Sequence, residues 1–347
     1  MDATNLVMVF FTVVSQMAVG AFLVLGVVQL FLSRGRSPET VERVVRPILY
    51  VIGPVLVLGL IVSMLHMHDV TNAFHVITNW QSSWLSREII FGCLFAGAGF
   101  LFAILEWFQK GPALLRHLIA AAAALFGVCL VVAQAGIYYS LVAIPAWHSW
   151  AVPFQFGATT LLLGCLSVAA ALMITTWIRL RGVRKAERLE AVRAEDAEVA
   201  AEMDARAKPP KGGAIRARIA EINAPATEDE WKLMATVTQG TALVGAVVAM
   251  ALFVSYPLFI GQLSQGNAAA VAAAGVLSGP LLWWRLALTA LSVILLGFFV
   301  YQTAGQATLE KSRVLVTFVL ISFVLALAGE FLGRFLHYLA MIKAGLP

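Results

Sequence analysis

Charge is what this protein has least of: 12% of its 347 residues are Asp, Glu, Lys or Arg, against 61% hydrophobic. Soluble domains carry about twice that share of charge, so a water-soluble fold is excluded. Cysteine is nearly absent too. Cys93, Cys129 and Cys165 sit singly in separate apolar stretches, without the close spacing that metal or iron-sulfur ligation needs. The six histidines form no pair facing across an apolar span: His66, His68, His75, His148 and His337 fall at one set of helix ends and loops, and His117 at the other. That placement argues against a bis-histidine haem, and no metal site is expected. The first apolar run has no basic leader before it and no small-residue cleavage site after it, so it reads as a retained helix.

Long apolar runs are abundant. A membrane-crossing helix needs about 20 mostly apolar residues. Eight stretches qualify: 6–32, 46–67, 85–109, 114–138, 153–178, 234–262, 281–304 and 313–340. Each is apolar along its whole length, where a barrel strand would be shorter and would alternate in polarity. The expected fold is therefore all-α and polytopic, with eight transmembrane helices. Tryptophans fall near the ends of these runs, at Trp80, Trp84, Trp107, Trp147, Trp150, Trp177, Trp231, Trp283 and Trp284, as headgroup-level rings do.

The scarce charges are unevenly placed. Residues 179–232 hold 12 of the 24 Lys and Arg and 11 of the 19 Asp and Glu. Basic residues are retained on the cytoplasmic side. Twenty of the 24 fall in one set of loops, and only Arg87, Arg285, Arg334 and Lys343 on the other side. Both termini are thus expected on the periplasmic side of a bacterial inner membrane. Helices 1 to 5 occupy 1–178, a charged and partly helical cytoplasmic loop 179–232, and helices 6 to 8 the remainder, 233–347. The net charge of +5 reflects this bias and assigns no nucleic-acid role. The loop reads as a solvated extension of the fifth span, with docking of a cytoplasmic partner as the alternative.

An ionisable side chain inside a span is costly unless it meets a cavity or a partner, so the few present are the candidate site. At a rise of about 1.5 Å per residue, His66, Arg87, Glu88, Arg285, Glu330 and Arg334 reach a common level near the outer surface, on spans two, three, seven and eight. Glu330 and Arg334 are spaced i, i+4, which permits a bond between them on one helix face. Alternatives stand beside each reading: snorkelling for His66, headgroup contact for Arg87, a purely structural pair for Glu330 and Arg334. A carboxylate, an imidazole and guanidinium groups beside apolar helix surfaces suit a lipophilic substrate with exchangeable protons, and a quinol is one. Its oxidation also needs an electron acceptor, which no motif here supplies, so the redox centres would belong to a partner on the outer face.

Six segments spread along the sequence carry a family resemblance: FTVVSQMAVGAFLVLG from Phe11, SMLH ending at His66, NAF at 72–74, LSREI containing Glu88, WRLAL from Trp284, and AGEFLGR from Ala328 to Arg334. In these the sequence resembles the membrane-anchor subunit of the dimethyl sulfoxide reductase family. The resemblance implies a haem-free, eight-helix protein that binds menaquinol, or ubiquinol, as substrate. It implies electron transfer to a four-cluster iron-sulfur subunit and on to a molybdopterin catalytic subunit. It also implies that His66 and Glu88 belong to the quinol site; their shared membrane level makes Arg285, Glu330, Arg334 and Arg87 further binding candidates. The long 179–232 insertion departs from the family pattern, leaving the partner set and the terminal substrate open; the direction is open as well, since the same chemistry can run backward. The alternatives are an anchor of a quinone-reducing dehydrogenase, for example a sulfite-oxidising one, a secondary transporter, and a purely structural anchor.

Overall fold

A computed structural model describes residues 3–33, 37–64, 79–195, 219–220, 224–306, 308 and 312–345. Its described residues are all helix, turn or coil, with no strand. The helices are α1 (Ala3–Leu32), α2 (Pro38–Met64), α3 (Trp84–Phe108), α4 (Ala113–Tyr139), α5 (Ala151–Glu195), α6 (Glu228–Leu263), α7 (Ala268–Leu277), α8 (Pro280–Gln306) and α9 (Ser312–Leu339).

Seven of these, all but α2 and α7, contain a segment long and apolar enough to cross a membrane. The protein is therefore a polytopic membrane protein. The second expected span, 46–67, falls on α2 up to Met64, with Pro47 and Pro54 inside the helix, and its last residues lie outside those described. α7 corresponds to none of the expected spans. Its ten residues, Ala268–Leu277, rise only about 15 Å, half a bilayer core, and their apolar composition serves instead to pack the end of the bundle. Ala273, Ala274 and Leu277 join Trp147, Phe259 and Leu336 in a separate buried cluster there.

Local chemistry sets the helix starts. Ser83 caps α3 by accepting from the Ser86 amide, placing Glu88 at the end of the first turn. Thr227 and Glu230 form a reciprocal capping box at the head of α6. Pro280 follows Gly279 at the first position of α8, where its missing N–H costs nothing. α8 widens to π geometry over Leu295–Val300.

α1 lies at the centre, against α2, α4, α5 and α9. It meets α5 with backbones in contact: a Cβ on Gly20 would collide with the Thr160 carbonyl, and one on Gly164 with the Gly20 carbonyl. Small residues at helix crossings give such close approach in membranes, where packing rather than water exclusion holds helices together. Phe22 ties α1 to α3 by edge-on contacts with Phe95 and Phe102.

α5 continues unbroken for 45 residues, about 68 Å at the helical rise, so it projects well beyond a bilayer core. The expected helical extension of the fifth span is present as far as Glu195. The charged stretch is not solvated throughout, however. Arg179 is 1% exposed and lies 3.6 Å from Glu230, which also pairs with Arg43 at 2.5 Å. This joins α2, α5 and α6 at their shared end. Two aromatic assignments also change. Trp231 and Trp147 are buried in the protein, so their rings do not face headgroups, whereas Trp80, Trp283 and Trp284 are exposed. An aromatic near a span end can face inward as readily as outward, and sequence position does not distinguish the two.

Candidate functional site

Glu88 ends the first turn of α3 and is only 5% exposed. A carboxylate there needs partners, and the first is Gln134 of α4, within hydrogen-bonding reach. Gln134 is itself fully buried. Its Nε2 donates to Ser15 Oγ at 2.8 Å, and its Oε1 accepts from Gln16 Nε2 at 3.1 Å. Gln16 Oε1 in turn accepts from Arg334 Nη2 at 2.7 Å. A row of two amides therefore links the carboxylate of α3 to a guanidinium of α9 through α4 and α1. An amide both donates and accepts, so each can be oriented by its neighbour in this way. The Arg334 guanidinium lies over the Phe156 ring at 3.6 Å, and its Nε has no hydrogen-bond partner among the described residues.

A direct ion pair joins α8 to α9 beside this row. Arg285, in the second turn of α8, reaches Glu330 at 3.3 Å and donates to the Gly329 carbonyl at 2.6 Å. Thr159 of α5 donates to the other Glu330 oxygen at 2.5 Å, and the Tyr256 ring faces the guanidinium at 4.3 Å. Gly333 makes this possible, because a Cβ there would overlap the Arg285 guanidinium. The pair is thus built around a glycine-sized gap in α9.

Next to these lies an aromatic group. The Tyr138 and Tyr338 hydroxyls bond at 2.5 Å, Trp147 Nε1 donates to the His337 carbonyl at 2.8 Å, and the His337 ring stacks on Trp147 at 5.3 Å. Both tyrosines interact electrostatically with Glu88.

Of the expected site residues, the structure brings Arg285 and Glu330 into direct contact, and it links Glu88 with Arg334 through Gln134 and Gln16. The i, i+4 bond between Glu330 and Arg334 is not formed among the described residues; helical spacing makes them neighbours, but each carboxylate and guanidinium finds better geometry on another helix. Arg87 stays outside the network. It donates to the Trp80 and Gln81 carbonyls at 3.0 and 2.6 Å and stacks on Trp84, fastening the loop before α3. His66 lies outside the described residues. The structure adds Ser15, Gln16, Gln134 and Thr159, which a search for charged residues passes over; a lone glutamine in an apolar span is the sequence signal for two of them.

Taken together, two buried carboxylates and two buried guanidiniums balance, which is what a low-dielectric site requires if no charge is to be left alone. A carboxylate in such a site can accept a proton from a hydroxyl within hydrogen-bonding reach. Among the described residues no group of three His, Cys, Asp or Glu side chains could hold a metal ion.

Comparison with known families decides the assignment. The family model for the DMSO reductase anchor subunit (DmsC) matches residues 1–339. The protein belongs to the DmsC family. Curated relatives include the C subunit of the anaerobic dimethyl sulfoxide reductase of Haemophilus influenzae, 33% identical over 49% of this sequence and 59% of the relative. The corresponding C subunit of Escherichia coli is 29% identical over 46% of this sequence and 54% of the relative. The YnfH subunit of an anaerobic dimethyl sulfoxide reductase in the same organism is 29% identical over 48% and 56%. These matches span a little over half the length of the curated relatives. As a DmsC-family membrane anchor the protein is a multi-pass protein of the bacterial inner membrane.

Proposed function

We propose that this DmsC-family protein binds menaquinol, or ubiquinol, at Glu88 and His66 and oxidises it for a molybdopterin oxidoreductase complex. The observation that carries this reading is the buried Glu88 carboxylate, held from behind by the Gln134 and Gln16 amides, at the shallow end of its helix. One quinol hydroxyl donates to Glu88 and the other to His66. Loss of both protons and two electrons leaves the quinone. Glu88 and His66 accept the protons, and an iron-sulfur subunit docked on the outer face accepts the electrons and serves a molybdopterin subunit. Arg334, through Gln16, and the Arg285 and Glu330 pair fix the frame around the ring, while Arg87 holds the neighbouring loop.

The proposed topology has eight spans, with both termini periplasmic, and 1–178 and 233–347 flank a cytoplasmic loop. The charged groups support a quinol site over a transporter because they lie toward one end of their helices. Glu88 is the fifth residue of α3 and Arg285 the sixth of α8, not midway along broken helices as transport sites are. Reversal of the same steps would reduce a quinone, so the geometry serves a quinone-reducing dehydrogenase equally well.

Quinone extracted from the purified, partner-bound complex and measured by mass spectrometry should be present in stoichiometric amount, and depleted when Glu88 is replaced by Gln. A complex that purifies intact and never retains quinone, at any lipid content, contradicts the reading.

A further inference from the structure

The ring-binding groups account for the head of a quinol but leave its long hydrocarbon tail unplaced. A cleft of about 570 Å³ lies between α1, α3, α4 and α5. Its walls include Val19 and Leu23 of α1, Trp84 of α3, Val132 and Gly136 of α4, and Gly157 of α5, and they are almost wholly apolar. Val132 and Leu161 on its rim are exposed, so the cleft opens sideways where lipid would be.

It comes within one helical turn of the polar row on two helices. Trp84 precedes Glu88 by one turn on α3, and Val19 follows Ser15 by one turn on α1, spacings that keep each pair on one helix face. A second apolar cleft, about 710 Å³, is lined by Ser167 to Ile178 of α5 and by Tyr50 and Trp107. Met17 and Leu327 bring that cleft near Gln16 and Glu330, but on α3 it touches Trp107, 19 residues or about 28 Å along the helix from Glu88.

We propose that the cleft between α1, α3, α4 and α5 seats the polyprenyl tail of the quinol and is the lateral doorway by which the ring reaches Glu88. This rests on the quinol reading above and extends it to a separate subsite. Volume, apolar walls, lateral opening and a place one helical turn from the polar row all fit a branched hydrocarbon tail attached to a polar ring. The Trp84 ring packs so tightly on Gly136 that a Cβ there would come within 2.5 Å of it, which fixes the wall of the cleft on the helix that carries Glu88.

Gly157 supplies the test. A Cβ added to it meets nothing within 4 Å, and Gly157 lines the cleft, so a side chain there starts in open space. In membranes carrying the assembled complex, oxidation of a long-tailed polyprenyl quinol is compared with that of the same ring without a tail. Gly157→Leu should raise the half-saturating concentration of the long-tailed quinol about tenfold, the scale of displacing two buried tail carbons, and leave the tailless ring unchanged. Gly157→Ala should shift it less in the same direction. Gly97→Leu, at an equally open glycine on the exposed side of α3, should move neither substrate. If Gly157→Leu affects neither substrate, or impairs both alike, the tail seat is overturned. Glu88→Gln is read on the tailless ring: unimpaired oxidation there would remove the ring site itself, whatever the Gly157 comparison shows.

Discussion

Replacing Glu88 by Gln in the assembled complex is expected to slow quinol oxidation by about 10²-fold or more, the usual loss when a positioned proton acceptor is removed, without loss of the complex from the membrane. Glutamine keeps the size and shape of the side chain and can still bond to Gln134, so packing at the head of α3 is preserved. What it cannot do is carry away a proton. Because Glu88 is buried among Gln134, Tyr138 and Tyr338, no solvent base is positioned to substitute for it. The measurement is the initial rate of quinol-analogue oxidation against complex content. Unchanged turnover together with unchanged inhibitor binding would remove Glu88 from the mechanism.

The second large effect is on stability. Arg285 and Glu330 are 2% and 4% exposed in their side chains, so neither has water to fall back on. Glu330→Ala leaves the guanidinium with the Gly329 carbonyl and the Tyr256 ring as its remaining contacts, and strands the Thr159 hydroxyl. Removal of one partner of a buried pair costs about 3–5 kcal/mol, because the other charge stays buried alone. Thermal unfolding of the purified complex should therefore begin at clearly lower temperature for Glu330→Ala. The double replacement Arg285→Leu with Glu330→Leu should recover most of the loss, since it removes both charges and fills the space. A single variant as stable as the parent would show that the pair is not held as described.

Much of this architecture is legible in the sequence because the bilayer reduces the choice: a continuous apolar run of span length has to be a helix when every backbone group must be satisfied internally. The same simplicity hides what lies between runs. α7 is apolar but too short to register as a span, and only its packing against Trp147 and Leu336 reveals its place. Charge is the guide to the site, and it leads to Glu88, Arg285, Glu330 and Arg334. The connections among them run through Gln16 and Gln134, uncharged residues whose value lies in donating and accepting at once. Helical spacing puts Glu330 beside Arg334, but contacts between helices, which α9 reaches only once Gly333 admits Arg285, decide the actual partners. Likewise the burial of Arg179 and Trp231 follows from the meeting of α5 with α6, which no local pattern encodes.

The central claim is that a quinol ring meets the Glu88 carboxylate at the outer end of the bundle, and the most direct measurement is a structure of the partner-bound complex with quinol present. The account predicts one ring hydroxyl about 2.6–3.2 Å from a Glu88 oxygen, the other directed to His66, and the tail leading out past Gly157. A quinol found instead in the cleft beside Tyr50 and Trp107, with Glu88 bonded only to protein, would contradict it.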